Sequence, residues 1–288
     1  MKHVLEIEGL KKSYGRFALQ DVSFTLDEDC ITGFIGANGA GKTTTIRCLL
    51  GLARRDGGRI KLFGQEVGAG GCALRDRIGV VLDGGGFYES LTVGQMRSIL
   101  APAYSKWDEA AFRGCLERFS LDPKQKIATL SKGMHMQLAL SFALSHHADL
   151  LLMDEPTSGL DPLVRREFLD LLLDYMRQGG KSVLFSTHIT SDLDRIADEI
   201  ILLDRGRVLF QEGRDELLDR WRMVKGSRAA LTPRTRPLFR RLRETDYGFT
   251  GLTDQAGEAR AALPGAVFER PAIEDIMVGC IEGGEWKC

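Results

Sequence analysis

Two hydrophobic periods divide the chain. Residues 4–10 and 18–26 alternate apolar with polar positions, as half-buried strands do, with polar turn residues at 13–16 between them. Residues 31–35 and 149–153 are near-continuous apolar runs, the pattern of parallel strands covered on both faces. Residues 59–63, 78–82 and 182–186 predict further strands, and 200–203 with 208–211 predict a closing hairpin around Arg205-Gly206-Arg207. Between residues 92 and 120 the apolar spacing changes to three and four, which predicts helix. Residues 130–144, 162–177 and 191–197 read as helices on the same grounds. Strands and helices in alternation predict an α/β core. Residues 84–148 are then a helical insertion into a unit spanning 1–215, and 216–288, with weaker strand and turn signals, a small C-terminal accessory domain.

Bulk composition narrows the class. The apolar fraction of 43% and charged fraction of 27% are those of a globular protein, and a net charge of −1 gives no global pointer to nucleic acid. No apolar run reaches the length of about 20 residues that crosses a bilayer. Charge at Lys2 and Glu6 reads against a secretory signal. The six cysteines form no C-x-x-C pair and read as reduced apolar fillers rather than zinc ligands or staples. One local asymmetry stands out. Arg220, Arg222, Lys225, Arg228, Arg234, Arg236, Arg240, Arg241 and Arg243 come without an acidic residue between them. The stretch reads as a solvated linker and helix face, or as a contact for anionic lipid headgroups.

The sharpest chemical signal is Gly36-Ala37-Asn38-Gly39-Ala40-Gly41-Lys42-Thr43, followed by Thr44, between an apolar strand and a helix-like run. That context makes G-x-x-x-x-G-K-T a phosphate cradle. Gly36, Gly39 and Gly41 let backbone N–H groups turn inward, and the helix N-terminus adds positive potential. Lys42 supplies charge for the β- and γ-phosphates, and Thr43 a hydroxyl for Mg²⁺. A second element closes residues 149–153: Asp154, held at a strand end, orients Mg²⁺, and Glu155 beside it polarises a water in line with the γ-phosphorus. ATP and Mg²⁺ are therefore the expected ligands.

Three further runs are Leu130-Ser131-Lys132-Gly133-Met134, Ser158-Gly159-Leu160-Asp161 and Phe185-Ser186-Thr187-His188. With Tyr14, and in this order, they resemble the nucleotide-binding subunits of ABC transporters from residue 3 to about residue 213. The resemblance implies a P-loop ABC cassette: a RecA-like core with an antiparallel β subdomain and a helical subdomain. It implies two subunits facing head to tail over two ATP molecules, with Ser131 and the Gly133 N–H of one capping the γ-phosphate held by the other. It also implies Glu155 as general base, His188 on the γ-phosphate, Tyr14 stacked on adenine, and Asp161 as the link between the two sites. His135, His146 and His147 have no such setting and read as exposed helix residues; Met134 and Met136 read as packing.

The chain departs from the family where a glutamine usually follows residues 78–82, for Asp83 stands there. Aspartate keeps an oxygen for the metal but loses the amide donor and a methylene of reach. Lys132 and Met134 replace the usual glycine and glutamine of the signature run. Three functions are open to such a chain: an ATPase powering a separate transmembrane permease, a soluble ABC ATPase acting on ribosomes or DNA, and a non-hydrolysing regulatory subunit. One cassette, too little chain between Lys42 and Ser131 for a long coiled coil, and both Asp154 and Glu155 favour the first. The run Pro271-Ala272-Ile273-Glu274-Asp275-Ile276-Met277, with Lys132-Gly133-Met134 and Ser158-Gly159-Leu160-Asp161-Pro162, is similar to the bacterial exporter branch handling antimicrobial peptides, phenol-soluble modulins or cell-envelope-active compounds. The expected place is the cytoplasmic face of the membrane, held through the permease.

Overall fold

A computed structural model describes residues 2–67, 72–82 and 86–282. The chain opens with an antiparallel hairpin, β1 (His3–Tyr14) and β2 (Phe17–Asp27), then enters the core through β3 (Ile31–Ile35) and helix α1 (Lys42–Leu49). Strands β4 (Gly57–Leu62) and β5 (Gln65–Glu66) return to the hairpin and complete a four-stranded sheet, ordered β2-β1-β4-β5. The short α2 (Cys72–Arg75) leads to β6 (Ile78–Leu82).

A helical region follows: α3 (Val93–Leu100), α4 (Glu109–Arg118) and α5 (Lys132–Ser145). The single helix expected over 92–120 is broken. Pro102 closes α3 in a 3-10 turn, and Asp108 starts α4 afresh by accepting from the Ala110 and Ala111 amides. Strand and helix then alternate through β7 (Leu150–Asp154), α6 (Pro162–Met176), β8 (Ser182–Thr187), α7 (Thr190–Ile196), β9 (Glu199–Asp204) and β10 (Arg207–Gly213).

The core sheet has six strands, ordered β10-β9-β3-β8-β7-β6, parallel except for β10. Its strands bury both faces. Leu151 and Met153 of β7 join the helix-covered side, while Leu150 and Leu152 join the side covered by α1 and the antiparallel sheet. Each fully buried side chain of this kind contributes about 1.5–3 kcal/mol. Leu82, Asp154, Ser186 and Phe34 lie in one cross-strand row, so four parallel strands end along one edge. Ligands of open α/β sheets bind at that edge.

Beyond β10 come α8 (Arg214–Arg220), β11 (Arg222–Gly226), β12 (Arg241–Thr245), β13 (Gly248–Thr253), α9 (Ala256–Ala262), β14 (Val267–Glu269) and α10 (Ile273–Glu282). These strands make an antiparallel sheet, β12-β13-β11-β14. The basic stretch is thus strands and 3-10 turns, not a linker and helix face. Most of its charge is met locally: Lys225 pairs with Glu269, Arg228 and Arg236 with Glu244, Arg240 with Asp254 and Arg241 with Glu282. Arg220 reaches Glu212, and Arg222 donates to the Leu218 and Trp221 carbonyls. Leu217, Leu218, Trp221, Ile273 and Ile276 join the same apolar body as Ile196 and Ala197 beside α7.

No helix among the described residues is long and apolar enough to cross a membrane. Cys30, Cys48, Cys115 and Cys280 are free thiols. Burial pushes the Cys30 thiol up to about 11, which suits a filler rather than a nucleophile. His146 corrects the sequence reading. It is 1% exposed, because the end of α5 folds under Tyr104 and the two rings stack 3.9 Å apart. His147 is half-buried and bonds Asp108, and His135 is half-buried as well. Met136 is buried in the core and Met134 packs against it, as expected.

Candidate active site

The sheet edge is assembled from consecutive residues at three strand ends. After β3 the chain turns through residues 36–41 into α1, whose N-terminus has no side-chain cap and no acid in its first turn. Its leading amides are therefore oriented donors for an anion. The turn needs its first glycine for close approach: a Cβ on Gly36 would lie 2.2 Å from the Leu203 carbonyl oxygen. The loop is braced from outside by the β9–β10 turn, where the Gly206 amide donates to the Ala40 carbonyl at 2.8 Å. Lys42 opens α1 with its ammonium buried, donating to the Gly36 carbonyl at 2.8 Å.

At the end of β7, Asp154 is buried and accepts from the Ser186 hydroxyl at 3.1 Å and from the Thr43 hydroxyl. Burial pushes its carboxyl above the usual carboxylate range, with the two hydroxyls opposing the shift. Glu155 follows in the left-handed region, φ 51°, a conformation that costs about 1–2 kcal/mol without glycine. Its amide bond to the Ser186 carbonyl, 3.0 Å, holds it there. The turn swings the carboxylate to the cleft, where Nδ1 of His188 donates to it at 2.7 Å and the His188 amide at 3.3 Å. His188 lies just past β8, and its imidazole is half-exposed.

These groups enclose a cleft of about 390 Å³, lined by Asn38 to Thr44, Phe17, Glu155, Ser158 and His188. An anion-binding loop, a buried lysine and a histidine-tethered carboxylate meet in one polar cavity, and the Thr43 hydroxyl on its lining leads to Asp154 outside that lining. Together they can bind a polyphosphate and activate water beside it.

A family model described as ABC transporter matches residues 19–158. The bacitracin transport ATP-binding protein BcrA of Bacillus licheniformis is 32% identical over 223 residues, which span 76% of this chain and 73% of that one. The Nod factor export ATP-binding protein I of Ralstonia nicotianae is 35% identical over 222 residues, or 75% of this chain and 68% of the relative. A solved ATP-binding subunit of an ABC transporter superposes with a TM-score of 0.68 at 30% identity, covering 75% of this chain and 92% of its own. The chain belongs to the ABC transporter family. It is an ATP-binding, ATP-hydrolysing subunit with the ABC cassette fold.

The remaining residues expected in an ABC site divide by position. Ser131 caps α5 by accepting from the Met134 amide at 3.2 Å, and Asp161 caps α6 by accepting from the Leu163 and Val164 amides. Both lie outside the cleft lining. Gly133 faces Leu160, and Lys132 lies over Gly159, so the signature helix packs beside the run that ends in Asp161. Tyr14 is 51% exposed, with the Lys12 ammonium 5.0 Å from its ring centre. It pairs across the hairpin end with Phe17, and Phe17 is the aromatic residue that lines the cleft. Phe17 has no place in the sequence reading, and Ser158 enters it only as the first residue of the run that ends in Asp161. The aromatic at the start of β2, directly opposite Tyr14, was the available signal. Gly36 and Ala37 form the foot of the phosphate loop rather than its lining. Asp83, expected as a metal ligand, lies outside the described residues.

A divalent cation fits this donor set. Asp154 is a buried carboxylate whose ionised form is poorly solvated, and the Thr43 hydroxyl beside it is a second hard oxygen.

Proposed function

We propose that this subunit is the motor of an exporter, working as two copies closed over two ATP molecules and seated on a separate membrane-spanning permease. The observation that carries the hydrolytic part is the Glu155 carboxylate tied to His188 at the mouth of the phosphate cleft. Glu155 accepts a proton from the water that attacks the γ-phosphorus, and His188 keeps that carboxylate aimed while its Nε2 meets a phosphate oxygen. Lys42 and the α1 amides hold the β- and γ-phosphates. Thr43 and Asp154 are the residues that would hold Mg²⁺, which neutralises phosphate charge when bound.

Ser131 and Gly133, at a helix N-terminus on an exposed face, suit the cap on a partner copy's γ-phosphate. Each charge-assisted bond there contributes about 1.5–3 kcal/mol, so a few per site favour the closed pair until hydrolysis removes them. Export, as opposed to uptake, is supported by a relative named for Nod factor export, and a peptide or drug-like cargo fits the relative named for bacitracin transport.

A mostly apolar groove of about 790 Å³ suits a helix of the permease on the cytoplasmic side. Leu49 to Arg55, Leu74, Ile78, Leu82 and Tyr104 are among the residues that line it. The helical insertion and the loop after Asp83, around residues 87–92, are a second place for this contact: Phe87 is turned onto Phe142, and Tyr88 is exposed.

The decisive experiment is Glu155→Gln. It should bind ATP with little change, hydrolyse it about 10²–10³-fold more slowly and elute as a dimer with ATP and Mg²⁺. Turnover at the wild-type rate would remove Glu155 from the role of base.

A further inference from the structure

Two segments must keep their relative placement for Glu155 and His188 to meet. One is the loop after β7, and the other is the turn from β8 into α7. A buried carboxylate ties them together. Asp192, four residues beyond His188 on α7, is 2% exposed and accepts from the Thr157 hydroxyl at 2.6 Å. Thr157, two residues beyond Glu155, is 1% exposed. The other oxygen of Asp192 accepts from Arg165 Nε at 2.5 Å, and Arg165 Nη2 donates to the Ser191 hydroxyl at 2.8 Å. Arg165 sits one turn into α6, its amide bonded to the Asp161 carbonyl. One carboxylate thus joins the general-base loop, the helix capped by Asp161 and the helix behind His188.

Stability alone gives little reason for a charge at this place. Burying a carboxylate costs several kcal/mol per ion, and an apolar side chain of similar size usually serves a core as well. A buried, fully bonded ion does fix geometry, because any displacement leaves an unpaired charge. Both Asp192 oxygens have partners, and each partner is on a different segment. On an adjoining side of α7 the Leu193 side chain fills the space beside Gly33 on β3, so the helix is packed on the core sheet as well as tied through Asp192.

We propose that Asp192, through Thr157, is a positioning residue for ATP hydrolysis: it holds the Glu155 loop and the His188 turn in register. This rests on the reading of Glu155 as base and His188 as its partner. Neither Asp192 nor Thr157 touches the cleft, so nucleotide binding should be insensitive to them.

Thr157→Val removes the hydroxyl at nearly constant shape. In the full chain it should lower kcat about 10- to 100-fold, the effect of displacing a catalytic group from outside the site. KM and the affinity for a fluorescent ATP analogue should stay within about twofold. Thr157→Ser, which restores the hydroxyl, should bring kcat back to within about threefold of wild type. Asp192→Asn also takes the charge from the Arg165 contact, so its kcat should fall at least as far as that of Thr157→Val, and the double variant should fall by less than the product of the two losses. An unchanged kcat in Thr157→Val overturns the proposal. So does a fall in kcat matched by an equal loss of nucleotide affinity, a failure of Thr157→Ser to recover, or single losses that multiply in the double variant. Glu155→Gln, measured alongside, separates the two readings. Wild-type turnover there sinks the base assignment, whereas wild-type turnover in Thr157→Val sinks the positioning role alone.

Discussion

Lys42 Nζ lies 3.4 Å from Oε1 of Glu155, so the lysine of the phosphate loop and the carboxylate of the hydrolytic loop form an ion pair across the cleft. A triphosphate entering this cleft competes with Glu155 for that ammonium. On the roles proposed for Lys42 and Glu155, binding and activation are linked: phosphate oxygens that took over Lys42 would release the carboxylate toward water.

Lys42→Ala removes a charge-assisted contact to phosphate and leaves Glu155 without its cation. Nucleotide affinity should fall by about 10- to 100-fold, since such a bond is worth about 1.5–3 kcal/mol. Titration with a fluorescent ATP analogue measures this directly, and affinity unchanged by the substitution would contradict the pairing as described.

Asp154→Asn should make the nucleotide-free chain more stable and Mg·ATP less able to stabilise it. Burial raises the Asp154 carboxyl from its ordinary value of 3.8, so the native chain holds that proton more tightly than the unfolded chain does. The stability contributed by this group is complete below 3.8 and is lost as pH rises through the elevated folded value. At pH 7 the ionised carboxylate is retained at a cost, which asparagine avoids. Melting curves at pH 7 should show a gain of about 2–4 °C for each kcal/mol relieved. The increment normally added by Mg·ATP should shrink.

His146 predicts an acid limb. Burial depresses its imidazole to about 4 from 6.5, and neither ring nitrogen has a hydrogen-bond partner among the described residues. Asp76 opposes the shift, while His147 and Lys181 reinforce it. The native chain thus binds this proton less readily than the unfolded chain. Its contribution is whole above pH 6.5 and lost as pH falls through about 4. The total loss approaches about 3 kcal/mol at 1.4 kcal/mol per unit. His146→Phe keeps the stack on Tyr104 and titrates nothing. Urea unfolding between pH 7 and pH 4 should show a flatter profile for that variant.

Gly206→Ala should couple a stability defect to a binding defect. Gly206 has φ 76°, and a Cβ there would sit 2.0 Å from the Ala18 carbonyl oxygen. The backbone must shift, at a cost of about 1–3 kcal/mol for the strained position alone. Because the Gly206 amide holds the Ala40 carbonyl, the phosphate loop loses its outer brace. Urea unfolding and nucleotide titration on the same variant should both move.

The parts of the site legible in the sequence are those built from neighbours along the chain. Residues 36–43 carry their whole chemistry in one turn, and Asp154 and Glu155 sit at the end of an apolar run that can only be a buried strand. His188 was legible for the same reason, as the residue just past β8. What escaped depends on tertiary approach. Asp192 gives no local sign of meeting Thr157, because the two belong to different crossovers and touch only once β7 and β8 pair. Phe17 reaches the cleft through hairpin register rather than through any motif. His146 read as exposed because it follows helix α5 at a polar pair, and only the fold of Tyr104 over it makes it core. The break at Pro102 was readable from proline and the Asp108 cap together, but the apolar spacing on either side masked it.

The apolar body that joins Trp221 to Ile196 and Ile276 has an optical consequence. The Trp221 indole is 1% exposed and shares one apolar body with Ile196 of α7 and Leu252 of the C-terminal sheet. With Trp107 and Trp286 replaced by phenylalanine, its emission should redden when these regions part, so a fluorescence melt of that variant follows the separation of the C-terminal sheet from the core.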